Sequence, residues 1–101
     1  MFKANRDADV NGTSFHSNEV RASPEQLREA FGEPAFDDNF GHDKVNMEWS
    51  FEDDEGNVFT LYDWKHYRPL YMECGVNWHI GSKTPELEEK FQNFVENALK
   101  A

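Results

Sequence analysis

The stretch KVNMEWSFEDDEGNVFTLYDW, residues 44–64, alternates apolar and polar side chains on both sides of one acidic turn. Val45, Met47, Trp49 and Phe51 interleave with Asn46, Glu48, Ser50 and Glu52. A period of two predicts a strand over Lys44–Glu52 with one face buried and one polar, the pattern of an antiparallel sheet covered on one side. Asp53-Asp54-Glu55-Gly56-Asn57 reads as the hairpin loop, with Gly56 available for a left-handed backbone position. Val58–Trp64 is then the partner strand. Phe59 and Leu61 face the core, and Thr60, Tyr62 and Trp64 face the other way.

Working outward toward the C-terminus, Lys65–Gly75 is a longer loop containing Pro69. Val76–Ile80 predicts a further strand, with Val76, Trp78 and Ile80 on one face and Asn77 and His79 on the other. Gly81–Thr84 turns the chain, and Thr84-Pro85 opens a helix. Leu87, Phe91, Phe94, Val95 and Ala98 form its apolar stripe.

Toward the N-terminus, Pro34–Asp43 reads as a loop. A short helix precedes it, with Ser23 as N-cap, Pro24 in the first helical position and Gln26 completing a capping box. Leu27, Ala30 and Phe31 share one face, Gly32 ends the helix and Pro34 prevents its resumption. Thr13–His16 makes a short first strand and Val20–Ala22 is extended. The predicted fold is α+β: a small antiparallel sheet of three to four strands in the order β-α-β-β-β-α, with two helices packed on one face. Residues 1–12 are polar and aperiodic and read as a flexible N-terminal arm; residues 13–101 form a single domain.

Length and composition support this scale. The chain has 101 residues, enough for one core and too few for two. Nine Phe, three Trp and three Tyr provide bulky core material. Twenty acidic residues oppose ten basic ones, a formal net charge of −10, which repels nucleic-acid phosphates and anionic lipids and favours a basic partner. The single cysteine, Cys74, excludes an intramolecular disulfide. No apolar run approaches the roughly 20 residues of a membrane-spanning helix, and the polar start lacks the apolar core of a signal peptide. These features lead to the expectation of a cytoplasmic protein with no direct nucleic-acid or membrane contact.

Two surfaces stand out. The first is the polar sheet face, carrying Asn46, Glu48, Ser50, Thr60, Tyr62, Trp64, Asn77 and His79. Tyr62 and Trp64 are costly to leave wet, so this face is expected to meet a ligand, a second subunit in a homodimer, or the chain's own arm. Lys65 and Arg68 lie close by in sequence. With Tyr62 or Trp64 stacking on a base, they suit a small nucleotide-like anion. The second surface is acidic: Glu29 to Glu55 holds ten carboxylates against Lys44 alone. Asp37, Asp38, Asp43, Glu52, Asp53, Asp54 and Glu55 can present phosphate-like spacing to a basic protein groove.

Chemistry is less well supplied. His16, His42, His66 and His79 lack metal-ligand spacing, and Asp53-Asp54-Glu55-Gly56 lacks the remaining positions of a calcium loop. No catalytic-serine elbow, phosphate-binding glycine loop or dinucleotide fingerprint is present. Cys74 sits beside Glu73, a neighbour that disfavours the thiolate. Asp63 and His79 remain as an acid–base pair for a small enzyme. No metal or cofactor is expected.

Phe31-Gly32-Glu33-Pro34, Glu48-Trp49, Tyr62-Asp63-Trp64-Lys65 and Trp78-His79-Ile80-Gly81 together resemble a group of small proteins encoded by tailed bacteriophages. The resemblance covers roughly Thr13 to Gly81. It implies that Asp63, Trp64, Lys65, Trp78, His79 and Gly81 belong together. It also implies action in a host cytoplasm, on a host factor or defence system. The leading expectation is a non-catalytic binding protein that inhibits a host protein with a basic surface, through Asp37, Asp38, Asp43, Glu52, Asp53, Asp54 and Glu55. The alternatives are a nucleotide-like ligand binder or sponge using Tyr62, Asp63, Trp64, Lys65, Arg68, Trp78 and His79, and a small enzyme using Asp63 and His79.

Overall fold

A computed structural model describes residues 2–37, 45–64 and 75–100. It contains strands β1 (Lys3–Ala4), β2 (Ser14–Ala22), helix α1 (Pro24–Phe31), strands β3 (Phe36–Asp37), β4 (Met47–Glu52), β5 (Val58–Tyr62) and β6 (Val76–Ser82), and helix α2 (Glu88–Lys100). A 3-10 turn, Pro85–Leu87, leads into α2. The fold is α+β with an antiparallel sheet and two helices, as expected.

The strand count and order need correction. The sheet has six strands in the spatial order β1-β4-β5-β6-β2, with β3 also pairing with β4. The expected three to four strands omitted β1 and β3, which are two-residue bridges drawn from stretches read as arm and loop. Pieces that short carry no periodicity; they exist because β4 offers its outer edge to them. Thr13–His16 and Val20–Ala22, read as separate segments, are one bulged strand, β2.

The core-facing side follows the alternation. Met47, Trp49 and Phe51 of β4, Phe59 and Leu61 of β5, Val76, Trp78 and Ile80 of β6, and Val20 and Ala22 of β2 are all buried. Leu27 of α1 and Phe91 and Val95 of α2 close over them. Phe91 stacks on Phe59 at 4.8 Å and meets Phe51 edge-on at 5.0 Å. Trp49 and Trp78 cross at right angles, 5.4 Å apart. Each Trp N–H is satisfied: Trp49 donates to the Gly32 carbonyl and Trp78 to the Ala22 carbonyl, both at 2.9 Å.

The helix signals are realised as read. Ser23 accepts from the Gln26 backbone N–H at 3.1 Å, and the Gln26 side chain accepts from the Ser23 N–H at 2.8 Å. Gly32 has a φ of 82°, and Gly56 in the hairpin has 84°.

One buried carboxylate ties the elements together. Glu88, the first residue of α2, is fully buried. It accepts from Asn18 Nδ2 at 2.8 Å and from the Ser82 hydroxyl. His16 Nε2 lies 3.9 Å from Glu88 Oε2 and 3.2 Å from the Ser82 carbonyl oxygen. The helix start is thereby fastened to the last residue of β6 and to the irregular part of β2.

The N-terminal residues are built into the domain. Phe2 packs edge-on against Phe59 at 5.2 Å and Phe91 at 5.4 Å. β1 lies at one side of the sheet and β2 at the other, so residues 5–13 must cross from edge to edge. Four inter-strand spacings amount to roughly 19 Å, well within the reach of nine residues. The slack is taken up in turns: the Ala8 N–H donates to the Asn5 carbonyl, and the Thr13 N–H and hydroxyl both donate to the Val10 carbonyl. The crossing runs over the face opposite the helices. There the Ser50 hydroxyl donates to the Asn5 carbonyl at 2.6 Å, and Thr13 stands over Gly81.

Candidate binding face

The second face of the sheet is therefore divided. Under the N-terminal crossing, Ser50 and Thr60 are almost fully buried although both are polar. The remaining part is uncovered by that strap and carries the aromatic residues.

Strand register sets its geometry. Glu48 of β4 pairs with Tyr62 of β5, Tyr62 with His79 of β6, and His79 with Glu19 of β2. These four residues make one transverse row across four strands, with a carboxylate at each end and two rings between. Three inter-strand spacings separate the ends, roughly 14 Å between backbones.

A bulge in β2 supplies another ring. His16, Ser17 and Asn18 stand between the pairs Phe15–Gly81 and Glu19–His79, opposite the single residue Ile80. Ser17 takes a φ of 77°, in the left-handed region. The two extra residues leave Phe15 on the face of Glu19 and draw it opposite Gly81, next to His79. Phe15 stacks on the His79 imidazole at 3.9 Å, with the planes 15° apart. Trp64 approaches His79 at 6.3 Å and 28°, and the Tyr62 ring meets His79 and Trp64 edge-on at 5.5 and 6.2 Å. Phe15 and Trp64 keep 39% and 42% of their surface exposed.

Gly81 makes room for this arrangement. A Cβ there would stand 2.5 Å from Thr60 Oγ1 and 3.3 Å from Tyr62 Cε1. The Tyr62 ring thus lies against bare backbone on the neighbouring strand.

Electrostatics at the row are set mainly by burial. Burial lowers the His79 pKa below its ordinary 6.5, and the opposing influence of Glu19 and then Asp63 does not overcome it. At neutral pH the imidazole is therefore uncharged, and its Nε2 lies 3.2 Å from Glu19 Oε2. Burial raises the Glu48 carboxyl above its usual 4.5. The Tyr62 phenol is pushed up by burial, then by Glu48 and Glu88.

The expected ligand residues separate into three groups. Tyr62, Trp64 and His79 converge on the uncovered face. Trp78 is fully buried in the core beneath it, and Asp63 is fully buried too. Asp63 Oδ1 accepts from the Asn46 and Met47 backbone N–H groups at 2.7 and 2.9 Å, and Oδ2 accepts from Asn46 Nδ2 at 2.9 Å. Its carboxylate is committed to fixing the start of β4, which explains its place beside Trp64 in the Tyr-Asp-Trp-Lys segment. Lys65 and Arg68 lie outside the described residues, as do His42, His66 and Cys74.

The expected acidic surface is not brought together among the described residues. Asp37 pairs with Met47 at the start of β4, whereas Glu52 ends that strand and Asp53–Glu55 follow it. Asp37 is also held by Arg28 at 2.9 Å. Asp53 is occupied inside its own turn, accepting from the Glu55 and Asn57 N–H groups and from Asn57 Nδ2. Glu52 is half-buried, while Asp54 and Glu55 are exposed at the hairpin tip. Asp38 and Asp43 lie outside the described residues.

Phe15 and Glu19 were not among the expected site residues. A lone aromatic in the polar run Ser14–Glu19 is the available signal, but its position beside His79 depends on the bulge that shifts its pairing to Gly81. A groove of about 540 Å³ lies elsewhere, between α1 and α2, lined by Gln26, Glu29, Ala30, Ala98 and Leu99. It offers one charged group and no ring, whereas the sheet face combines rings with carboxylates. Among the described residues, no group of three or more His, Cys, Asp or Glu side chains is arranged to hold a metal ion. No described helix is long and apolar enough to cross a membrane. No protein-family model matches the chain, and no curated protein is significantly similar to it.

Proposed function

We propose that this chain is a non-catalytic binding protein that docks onto another protein through the uncovered half of the second sheet face. The observation that carries this reading is the convergence of Phe15, Tyr62 and Trp64 on His79, with the two outer rings two-fifths exposed. Exposed rings held in fixed positions lose little entropy on binding and gain from desolvation, the character of interface anchors. The net charge of −10 adds long-range attraction toward a basic partner. The resemblance to phage proteins gives the setting: a host factor or defence protein, inhibited by occupation of its surface in the host cytoplasm.

A nucleotide ligand is the second reading, supported by the stacked rings. The carboxylates at both ends of the row oppose a phosphate. For the small-enzyme reading, Asp63 spends both oxygens on the backbone and side chain of β4.

The test is retention from bacterial lysate by the full chain and by Phe15→Ala and Trp64→Ala, at low and high salt. A protein retained by the parent at low salt and lost by both variants, with their folds intact by circular dichroism, supports the reading. A partner retained equally by all three overturns it. A retained nucleotide with no protein favours the second reading.

A further inference from the structure

We propose that the group received by this face is a guanidinium, an arginine side chain of the partner protein held against the ring cluster beside the row's two carboxylates. This rests on the reading of the face as a contact surface and adds the chemistry of what it contacts.

Five observations lead to it. The row Glu48–Tyr62–His79–Glu19 is acidic at both ends and aromatic in the middle. Its imidazole is neutral at pH 7, because burial holds the His79 pKa down, so no positive charge at the centre repels an incoming cation. Glu19 engages His79 through Oε2 and keeps 43% of its side chain exposed, leaving it accessible to a second donor. Glu48 is partly desolvated, and burial raises its carboxyl. Among the described residues of this face, the Arg21 guanidinium donates to Asn77 Oδ1, 3.2 Å away.

A guanidinium matches these features together. Its plane stacks on aromatic rings, its forked N–H groups meet carboxylates bidentately, and it sheds water more readily than an ammonium. A lysine ammonium supplies the charge without the plane or the fork. The exposed faces of Phe15 and Trp64 therefore favour arginine over lysine.

The experiment titrates the full chain with an oligo-arginine peptide and an oligo-lysine peptide of equal length, following the Trp64 indole resonance by NMR. Trp49 and Trp78 are buried in the core and serve as internal references. Arginine peptide is expected to bind roughly tenfold more tightly than lysine peptide. The double variant Glu19→Gln/Glu48→Gln is expected to weaken arginine-peptide binding about tenfold. Asp54→Asn/Glu55→Gln removes the same formal charge at the hairpin tip and is expected to change it by less than about twofold. Equal affinity for the two peptides, or equal losses from the two double variants, overturns the proposal, since binding would then follow net charge alone.

Failure here is distinguishable from failure of the contact-surface reading. If Trp64→Ala abolishes retention of the lysate partner while Glu19→Gln/Glu48→Gln leaves peptide binding unchanged, the face stands and the guanidinium does not. If Trp64→Ala retains the partner, the face itself is wrong.

Discussion

The two faces of the sheet are built from the same strands by the same alternation, yet they differ in what covers them. On the helix side, Met47, Trp49 and Phe51 of β4, Phe59 and Leu61 of β5 and Val76, Trp78 and Ile80 of β6 join one hydrophobic core, and Ser82 at the end of β6 is held by Glu88. On the other side, one end is dry because residues 5–13 cross it, and the other end presents rings and carboxylates. The first face is uniform because two helices bring apolar stripes long enough to seal it. The second is divided because a nine-residue crossing covers only part of its area. Among the described residues, the rings and carboxylates of the second face therefore gather at the end that the crossing does not reach.

The comparison is tested most severely by substitution on each face. Phe91→Ala removes a fully buried ring in contact with Phe2, Phe51 and Phe59 and is expected to cost about 3–5 kcal/mol in denaturant unfolding. Trp64→Ala, on the uncovered half, is expected to cost less than about 1 kcal/mol. Similar losses at both positions would erase the distinction between the faces.

Asp63→Ala is next in size. It removes the acceptor for the Asn46 and Met47 N–H groups and is expected to destabilise the protein by about 2–3 kcal/mol. A loss of that size, with the Phe15–His79 contact still visible by NMR, would confirm that Asp63 supports the face from beneath. Gly81→Ala places a Cβ against Thr60 and Tyr62, at an expected cost of about 1–3 kcal/mol with a displaced Tyr62 resonance. An unchanged Tyr62 signal would mean that its ring does not depend on the bare backbone.

The smallest effects concern pH and have opposite signs. The His79 pKa is lower folded than unfolded, so its contribution is intact above about 6.5 and is lost as pH falls through the folded value. His79→Gln should therefore flatten the decline of stability just below pH 6.5. The Glu48 pKa is raised, so its contribution is full below 4.5 and is lost as pH rises through the folded value. Glu48→Gln should accordingly stabilise the protein at pH 7 in thermal unfolding while weakening arginine-peptide binding. A destabilised Glu48→Gln would mean that the carboxylate is structural.

Legibility in the sequence followed the length of each signal. Residues 45–64 declared two strands, their buried faces and the left-handed Gly56 through strict alternation and one turn. Ser23, Pro24, Gln26 and Gly32 declared both ends of α1 through local hydrogen bonding and backbone preference. Tyr62, Trp64 and His79 were placed on the second face by parity alone. Asp63 and Trp78, expected among the ligand groups, are buried with their polar atoms engaged, which a side chain's residue type does not reveal. The two-residue strands β1 and β3 were missed because they have no pattern of their own.

The sequence by itself determined the alternation, the boundaries of α1, the acidic balance and which residues of β4, β5 and β6 turn away from the core. These depend on neighbours a few positions apart, where backbone geometry fixes the relation. Only the tertiary structure decided which part of the second face is covered, that a bulge brings Phe15 onto His79, and that Glu48 and Glu19 end one row. Those relations join residues dozens of positions apart, and their register is set by where the strands pair rather than by any local preference.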